Sequence, residues 1–304
     1  MREEQLIFIA SQPRAGSTYL QNVLSNNPIT NTTSEPWIML SVAPLLKPDL
    51  VYDTSYNHKL AIKALNIYQS KTGSDLKAEI KSLALNMYAP MLEGFDYVID
   101  KTPRYWELLD ELVALFPKSK IVVIRRNPID VVKSIIKTWH KETIEQLNDY
   151  RSDLLKAPFV IDAFLEKHQK NKNVIVINYQ DVISNRETVV KKLYSDLGLP
   201  YSELVLDTSK NEKFKGFFGD PYQNNTSKEN KTLPNFFDDF ITGYGFYLGE
   251  NYFKKHNFKY EKIAKTKSFE YFLNLEQQGK TPSIKTLLKE FKLYIRRKLI
   301  YFNN

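Results

Sequence analysis

Gln5-Leu6-Ile7-Phe8-Ile9-Ala10-Ser11, followed by Gln12-Pro13-Arg14-Ala15-Gly16-Ser17-Thr18, sets the architecture of the chain. The apolar run reads as a strand, the Pro/Gly/Ser stretch as a turn, and residues 17–24 as a helix. Backbone N–H groups at such a turn point outward, and the helix N-terminus adds positive potential. Gly16 lets the chain approach an anion closely. The Ala15, Gly16, Ser17 and Thr18 segment then offers amides and hydroxyls, and Arg14 offers a planar cationic fork. A P-loop would read G-x-x-x-x-G-K-[ST], but Ser17 stands at the lysine position and no upstream glycine is in place. An NTPase or kinase would lack its γ-phosphate lysine. The other reading is a plain helix start, with Ser17 and Thr18 capping and Arg14 in solvent.

Outward from this segment, strands alternate with helices. Residues 95–100, 121–124 and 174–177 read as strands, the last two as β-branched runs buried on both faces. Helical patterns cover residues 56–70, 75–90, 103–116, 128 to about 140, and 181–197, with Gly198 as a stop. This alternation predicts an α/β fold, a parallel sheet flanked by helices on both faces. Such sheets bind ligands at the carboxyl ends of their strands. Residues 207–235 are polar and read as a long loop, and one of that length in a compact domain is usually functional or disordered.

A second cluster, Ile124-Arg125-Arg126-Asn127-Pro128-Ile129-Asp130, with Ser134 beyond it, follows a buried strand. Arginines at a strand end, beside a helix opened by Pro128, make a second anion site. Ser134 falls within two turns of that helix start. The alternative is a structural Arg126–Asp130 ion pair with Ser134 on the helix surface.

Charge and composition narrow the function further. The 304 residues carry 43 Lys/Arg against 35 Asp/Glu, a net charge of +8. Residues 254–304 hold 13 of the basic residues and 4 acidic ones, a net of +9, so the rest of the chain is near neutral and no nucleic-acid partner is expected. The absence of cysteine excludes a disulfide framework, a Cys-ligated zinc and a Cys nucleophile, and fits a cytoplasmic setting. No secretory leader is expected, and the longest mostly apolar stretch, residues 36–46, is too short to span a bilayer. Residues 284–302 alternate apolar and basic positions at helical spacing. That basic amphipathic helix suits peripheral contact with an anionic membrane or an acidic acceptor, or docking on the body of the protein.

The two anion clusters together resemble the PAPS-dependent sulfotransferase family, whose donor is 3′-phosphoadenosine 5′-phosphosulfate. Pro13-Arg14-Ala15-Gly16-Ser17-Thr18 is similar to its 5′-phosphosulfate loop, and Arg126-Asn127-Pro128-Ile129-Asp130 with Ser134 to its 3′-phosphate motif. Asn178-Tyr179-Gln180-Asp181 resembles its adenine-contacting strand end, with Gln180 in place of an acid. Lys215-Gly216-Phe217-Phe218-Gly219-Asp220 resembles its late phosphate loop, with Phe214 where cytosolic members carry arginine. Asp100-Lys101-Thr102-Pro103 resembles the acceptor-cleft stretch.

The likeness runs from about residue 5 to about residue 222. It implies a P-loop-like sheet in a sulfotransferase domain, taken as residues 1–253; the basic, helical extension over 254–304 is read from charge and spacing and lies outside the likeness. The likeness implies PAPS as donor and PAP as product. Arg14 through Thr18, Arg126, Ser134, Tyr179, Lys215 and Gly216 would bind the donor, and Lys101 and Arg14 would act on the transferred group. Cytosolic members carry a basic His after Lys-Thr, but Pro103 stands there. Glu35, in Thr33-Ser34-Glu35-Pro36-Trp37, resembles the catalytic Glu of tyrosylprotein and bacterial or carbohydrate members. Its alternative role is to cap a helix opened by Pro36, and Asp100 is the reserve base. The implied acceptor is a hydroxyl of a carbohydrate, lipid-linked or natural-product alcohol, and no metal is implied. Competing readings are an ATP-dependent P-loop phosphotransferase and a non-catalytic nucleotide-binding protein.

Overall fold

A computed structural model describes residues 1–51, 56–208 and 235–279 of the chain. Two compact units are present: Met1–Thr138 with Arg151–Asn230, and Trp139–Tyr150 with Lys231–Asn304. The expected boundary between residues 253 and 254 falls inside one helix of the second unit, Glu250–His256.

The first unit is built on five parallel strands: β1 (Leu6–Ser11), β2 (Thr30–Thr32), β3 (Tyr97–Lys101), β4 (Lys120–Arg125) and β5 (Val174–Asn178). Their spatial order is β2-β3-β1-β4-β5. Every residue of β1 is fully buried, as a central strand covered on both faces requires. Leu6, Phe8 and Ala10 belong to the core on one face, with residues of helices α2 (Ile38–Leu46), α4 (Leu76–Tyr88), α5 (Leu109–Leu115) and α8 (Ala157–Lys167). Phe8 is its hub, with ring centroids 6.3 Å from Tyr88, 6.0 Å from Tyr105 and 5.4 Å from Phe116. Ile7 and Ile9 alternate with these residues and point to the opposite face. Helix α1 (Ser17–Ser25) packs on β1, β2 and β3. The other helices of this unit are α3 (His58–Thr72), α6 (Pro128–Thr138), α7 (Arg151–Leu155), α9 (Tyr179–Ser184) and α10 (Arg186–Leu197).

Register puts the functional strand ends side by side. Ile9 of β1 aligns with Lys101 of β3, Ser11 with Ile124 of β4, and Arg125 with Asn178 of β5. The chain leaves β1 toward β2 and β3, then crosses to β4 on the far side of β1. The ends of β1, β3 and β4 therefore flank the point where strand order reverses, the usual ligand crevice of such a sheet.

Several expectations change in detail. Residues 174–177 form an edge strand, and Val176 is 42% exposed, so β5 is not buried on both faces. Residues 103–116 open as a 3-10 turn, Pro103–Leu108, before α5 begins. The helix expected over 181–197 breaks at Asn185 into α9 and α10, and Gly198 ends the latter at φ 75°. The long loop lies outside the described residues over 209–234, as does the expected tail helix over 284–302.

In the second unit, helices α11 (Asn235–Leu248) and α13 (Lys267–Gly279) pack through aromatic rings, with α12 (Glu250–His256) between them in sequence. Phe240 lies 5.4 Å from Phe269 and 5.3 Å from Phe272, centroid to centroid. Among the described residues, no helix is long and apolar enough to cross a membrane.

Phe8 gives the core its direct test. Phe8→Ala is expected to lower unfolding free energy by about 3–5 kcal/mol, read by denaturant titration. A loss under about 1 kcal/mol would contradict this packing.

Candidate functional site

The turn after β1 is held from both sides. The Ser11 hydroxyl donates to the Gln12 carbonyl at 2.7 Å, and the Gln12 amide donates to the Asp153 carbonyl at 2.8 Å. Arg14 takes a left-handed φ of 69° and Gly16 a φ of 103°. Gly16 is the N-cap of α1, without a side-chain cap, so Ser17 and Thr18 lie in the first helical turn. A Cβ on Gly16 would stand 2.4 Å from ring carbons of Tyr179. Glycine is thus required twice, by its backbone angle and by the tyrosine resting on it.

Tyr179 also carries Arg126, whose guanidinium carbon lies 4.3 Å from the ring centroid. Arg126 Nη1 donates to the Arg14 carbonyl at 2.9 Å, while its Nε is buried without a hydrogen-bond partner. Burial lowers the Arg126 pKa, and Arg14 adds to the lowering against Tyr179 and Asp130. Arg14 Nε donates to Ser134 Oγ at 3.4 Å. Ser134 of α6 therefore faces Arg14, and the second anion cluster closes onto the first. The alternative, an Arg126–Asp130 ion pair, is not among those of the described residues; Asp130 acts on Arg126 at longer range. Neighbouring Arg125 is spoken for, donating through Nε and Nη2 to Asn178 Oδ1 at 3.1 and 2.9 Å.

A separate pair stands at the end of β3. Lys101 Nζ donates to Glu35 Oε1 at 2.8 Å, with 2% and 17% of the two side chains exposed. Trp37 Nε1 donates to Glu35 Oε2 at 3.2 Å. Helix α2 starts at Ile38 with Trp37 as its N-cap, so Glu35 does not cap it. The segment before Glu35 is pinned by Gln21 of α1, whose amide donates to Thr32 Oγ1 at 2.8 Å and the Thr33 carbonyl at 2.7 Å. Thr32 Oγ1 donates in turn to the Ile99 carbonyl of β3 at 2.9 Å.

Asp100, the reserve base, is buried and structural. Tyr88 and Tyr105 hydroxyls both donate to its Oδ2, and Thr102 donates to Oδ1 at 2.8 Å. Burial raises its pKa against these three donors. Tyr105 Oη also accepts from the Met39 N–H at 3.0 Å, which ties the start of α2 to β3.

Sequence reading passed over three further residues here. Asp153 Oδ2 accepts from Arg104 Nε at 3.1 Å and Nη2 at 2.9 Å, and Oδ1 accepts from Trp106 Nε1 at 2.8 Å. The Arg104 guanidinium lies 5.8 Å from the Trp37 ring. Burial raises the Asp153 pKa; Arg104 and Trp106 oppose that, and Glu35 adds to it. Tyr19, in α1, has a buried hydroxyl without a hydrogen-bond partner, and Arg186 lies 5.6 Å over its ring. A tyrosine directly after the Ser17-Thr18 pair was the available signal for it; contacts such as Arg104–Asp153, 49 positions apart, leave none.

The structure thus brings together Arg14, Gly16, Arg126, Ser134 and Tyr179, and separately Glu35 and Lys101. Ala15 and Ser17 are buried in the same turn, with Thr18 half-buried beside them. Lys215 and Gly216 lie outside the described residues. Among the described residues, no cluster of His, Asp and Glu is arranged to hold a metal ion.

Comparison with known proteins places the chain in a family. The sulfotransferase family model matches residues 6–203. The nodulation protein NoeE of Sinorhizobium fredii (strain NBRC 101917 / NGR234) is 28% identical over 134 residues, which is 44% of this chain and 32% of its own length. The protein-tyrosine sulfotransferase of Drosophila melanogaster is 23% identical over 207 residues, 67% of this chain and 40% of its own. The match to these curated relatives thus spans about a third to two fifths of their length. The sulfotransferase domain from the curacin biosynthetic pathway shares the fold, with a TM-score of 0.52, 19% identity, and coverage of 91% of this chain and 99% of that one.

The Gly16–Tyr179 contact is testable by a double-mutant cycle. Gly16→Ala is expected to cost about 2 kcal/mol or more, and Tyr179→Ala in the same chain to relieve about 1 kcal/mol of it. Additive effects in chemical unfolding would contradict the contact.

Proposed function

The chain belongs to the sulfotransferase family, and from that premise we propose that it moves a sulfuryl group from PAPS to an acceptor hydroxyl, with Glu35 as general base. One observation carries the reading. The glycine turn after β1 and the arginine after β4 form a single hydrogen-bonded cluster, while a buried lysine–carboxylate pair stands at the end of β3 beside it.

The cluster suits a donor with two phosphate-bearing ends. Arg126 has a buried Nε in want of an acceptor, and a phosphate oxygen would supply one. Gly16 lets Tyr179 rest directly on the turn, and the first N–H groups of α1 lack a side-chain cap, which leaves them to an anion. On this reading Arg126 and Ser134 hold the 3′-phosphate, and Arg14 with the Ala15–Thr18 turn holds the 5′ end. Tyr179 and Tyr19 add aromatic surface for the purine, and the Lys215-Gly216 stretch is assigned to the donor by resemblance alone.

PAPS, when bound, supplies an activated sulfuryl group. Glu35 accepts the proton of the attacking hydroxyl, exchanging its Lys101 partner for the acceptor as it does so. Lys101, almost wholly excluded from water, offers its charge to the oxygens on which negative charge grows during transfer. Arg14 stabilises the leaving phosphate. Trp37 keeps the second carboxylate oxygen fixed, so the base presents one oxygen in a set direction. The acceptor class is a carbohydrate, lipid-linked or natural-product alcohol.

Transfer of labelled sulfate from PAPS to a panel of such alcohols tests the activity, and Glu35→Gln tests the base. The variant is expected to turn over about 10²–10⁴-fold more slowly while binding PAP as the parent does. Unchanged turnover would reject Glu35, and PAP binding with no transfer to any hydroxyl would favour a non-catalytic nucleotide-binding protein.

A further inference from the structure

Helix α3, His58–Thr72, is the odd element of the first unit, because none of its 15 residues is buried. Helices in globular proteins are held chiefly by burying one apolar stripe. Here Ile62, Leu65 and Gln69 are half-buried, so the helix touches the body along a narrow line. Its other side is apolar and open to solvent. Leu60, Ala64, Ile67 and Tyr68 follow the i, i+4, i+7, i+8 spacing of a single helical face. Leu60 is 61% exposed, Ile67 49% and Tyr68 62%. Tyr56, just before the helix, is exposed as well. A continuous apolar face of this kind on a charged protein marks a docking surface.

The charges on the helix choose among occupants. The sequence HKLAIKALNIYQSKT contains Lys59, Lys63 and Lys71 and no acidic residue. Lys59 pairs with Asp49 at 2.5 Å, whereas Lys63 and Lys71 take part in no ion pair of the described residues. A second copy of the chain would bring the same lysines face to face. The chain's own residues 254–304, with a net charge of +9, would meet them with like charge as well. An apolar face on a helix that carries two unpaired lysines and no acid of its own, with Asp49 already matched by Lys59, is complementary to a bilayer surface carrying anionic headgroups.

We infer that α3 docks the protein onto an anionic lipid surface, with Leu60, Ile67 and Tyr68 entering the headgroup–acyl boundary and Lys63 and Lys71 meeting the headgroups. Helix α3 carries none of the residues placed at the strand ends, and the inference holds whether or not the sulfotransferase reading does. It differs also from contact through residues 284–302, which the experiment keeps constant.

The full chain is sedimented with vesicles of phosphatidylcholine alone and of phosphatidylcholine mixed with phosphatidylglycerol, without nucleotide. The parent is expected to partition at least about tenfold more strongly onto the mixed vesicles. The L60S/I67S/Y68S variant is expected to lose about tenfold or more of that partitioning while remaining folded at the assay temperature by circular dichroism, since Leu60, Ile67 and Tyr68 are each about half exposed or more. K63E/K71E, which leaves the apolar face intact, is expected to weaken binding to the mixed vesicles alone. Failure of the parent to bind would overturn the inference and leave a protein partner for the face. Undiminished binding by both variants would overturn it too, and would move the contact to residues 284–302.

Discussion

The Arg126 guanidinium is the interaction on which the site depends. It donates to the carbonyl of Arg14, lies over the ring of Tyr179, and through that ring presses on Gly16. Three strand ends, those of β1, β4 and β5, are thereby joined by one cation. Moving a charge away from water costs several kcal/mol unless partners replace the water. A carbonyl and an aromatic face replace it only in part, since Nε is left over. Fold stability alone would favour an apolar residue or a fully paired arginine. A half-buried cation with one donor in reserve is what an anion-binding protein needs before its ligand arrives.

The pair at the end of β3 follows a different logic. Lys101 and Glu35 neutralise each other in the resting protein, so both can sit at the edge of the core without a large cost. Around them the scaffold is rigid. Asp100, the residue before Lys101 in β3, collects three hydroxyl donors, and Tyr105 passes that order to the first turn of α2. Gln21 and Thr32 do the same for the segment that carries Glu35. Asp153 links the two halves: its backbone oxygen receives Gln12 from the donor turn, and its carboxylate holds Arg104 against Trp37. A carboxylate held this tightly has little freedom to lose on reaction.

Much of this was legible in the sequence, for physical reasons that differ by residue. β1 and β4 are covered on both faces, so their apolar runs are unbroken and easily read. β2 was not read because Thr30-Asn31-Thr32 is short, polar and at a sheet edge, where no pattern is imposed. β5 was misjudged because Val174 to Ile177 is as β-branched as a central strand, although Val176 faces solvent. Arg14, Gly16, Arg126 and Ser134 stood out because glycine and arginine at strand ends have few structural uses. The reason Gly16 tolerates no side chain was hidden, since Tyr179 is distant in sequence. Arg104 and Asp153 were invisible for the same reason, and the solvent-facing side of α3 looked like any amphipathic stripe until its burial was known.

The central claim is that Arg126 and Ser134 read a 3′-phosphate. Its most direct test compares thermal stabilisation of the protein by PAP and by ADP, each with and without Mg²⁺. The ligands differ in where the second phosphate sits, and a ligand at a hundred times its Kd stabilises by about 2.7 kcal/mol, a shift of several degrees. Recognition of a 3′-phosphate by Arg126 and Ser134 predicts a shift with PAP that needs no Mg²⁺ and little shift with ADP. Equal shifts, or a Mg²⁺-dependent response to ADP with nothing special to PAP, would contradict it and return the site to a phosphotransferase.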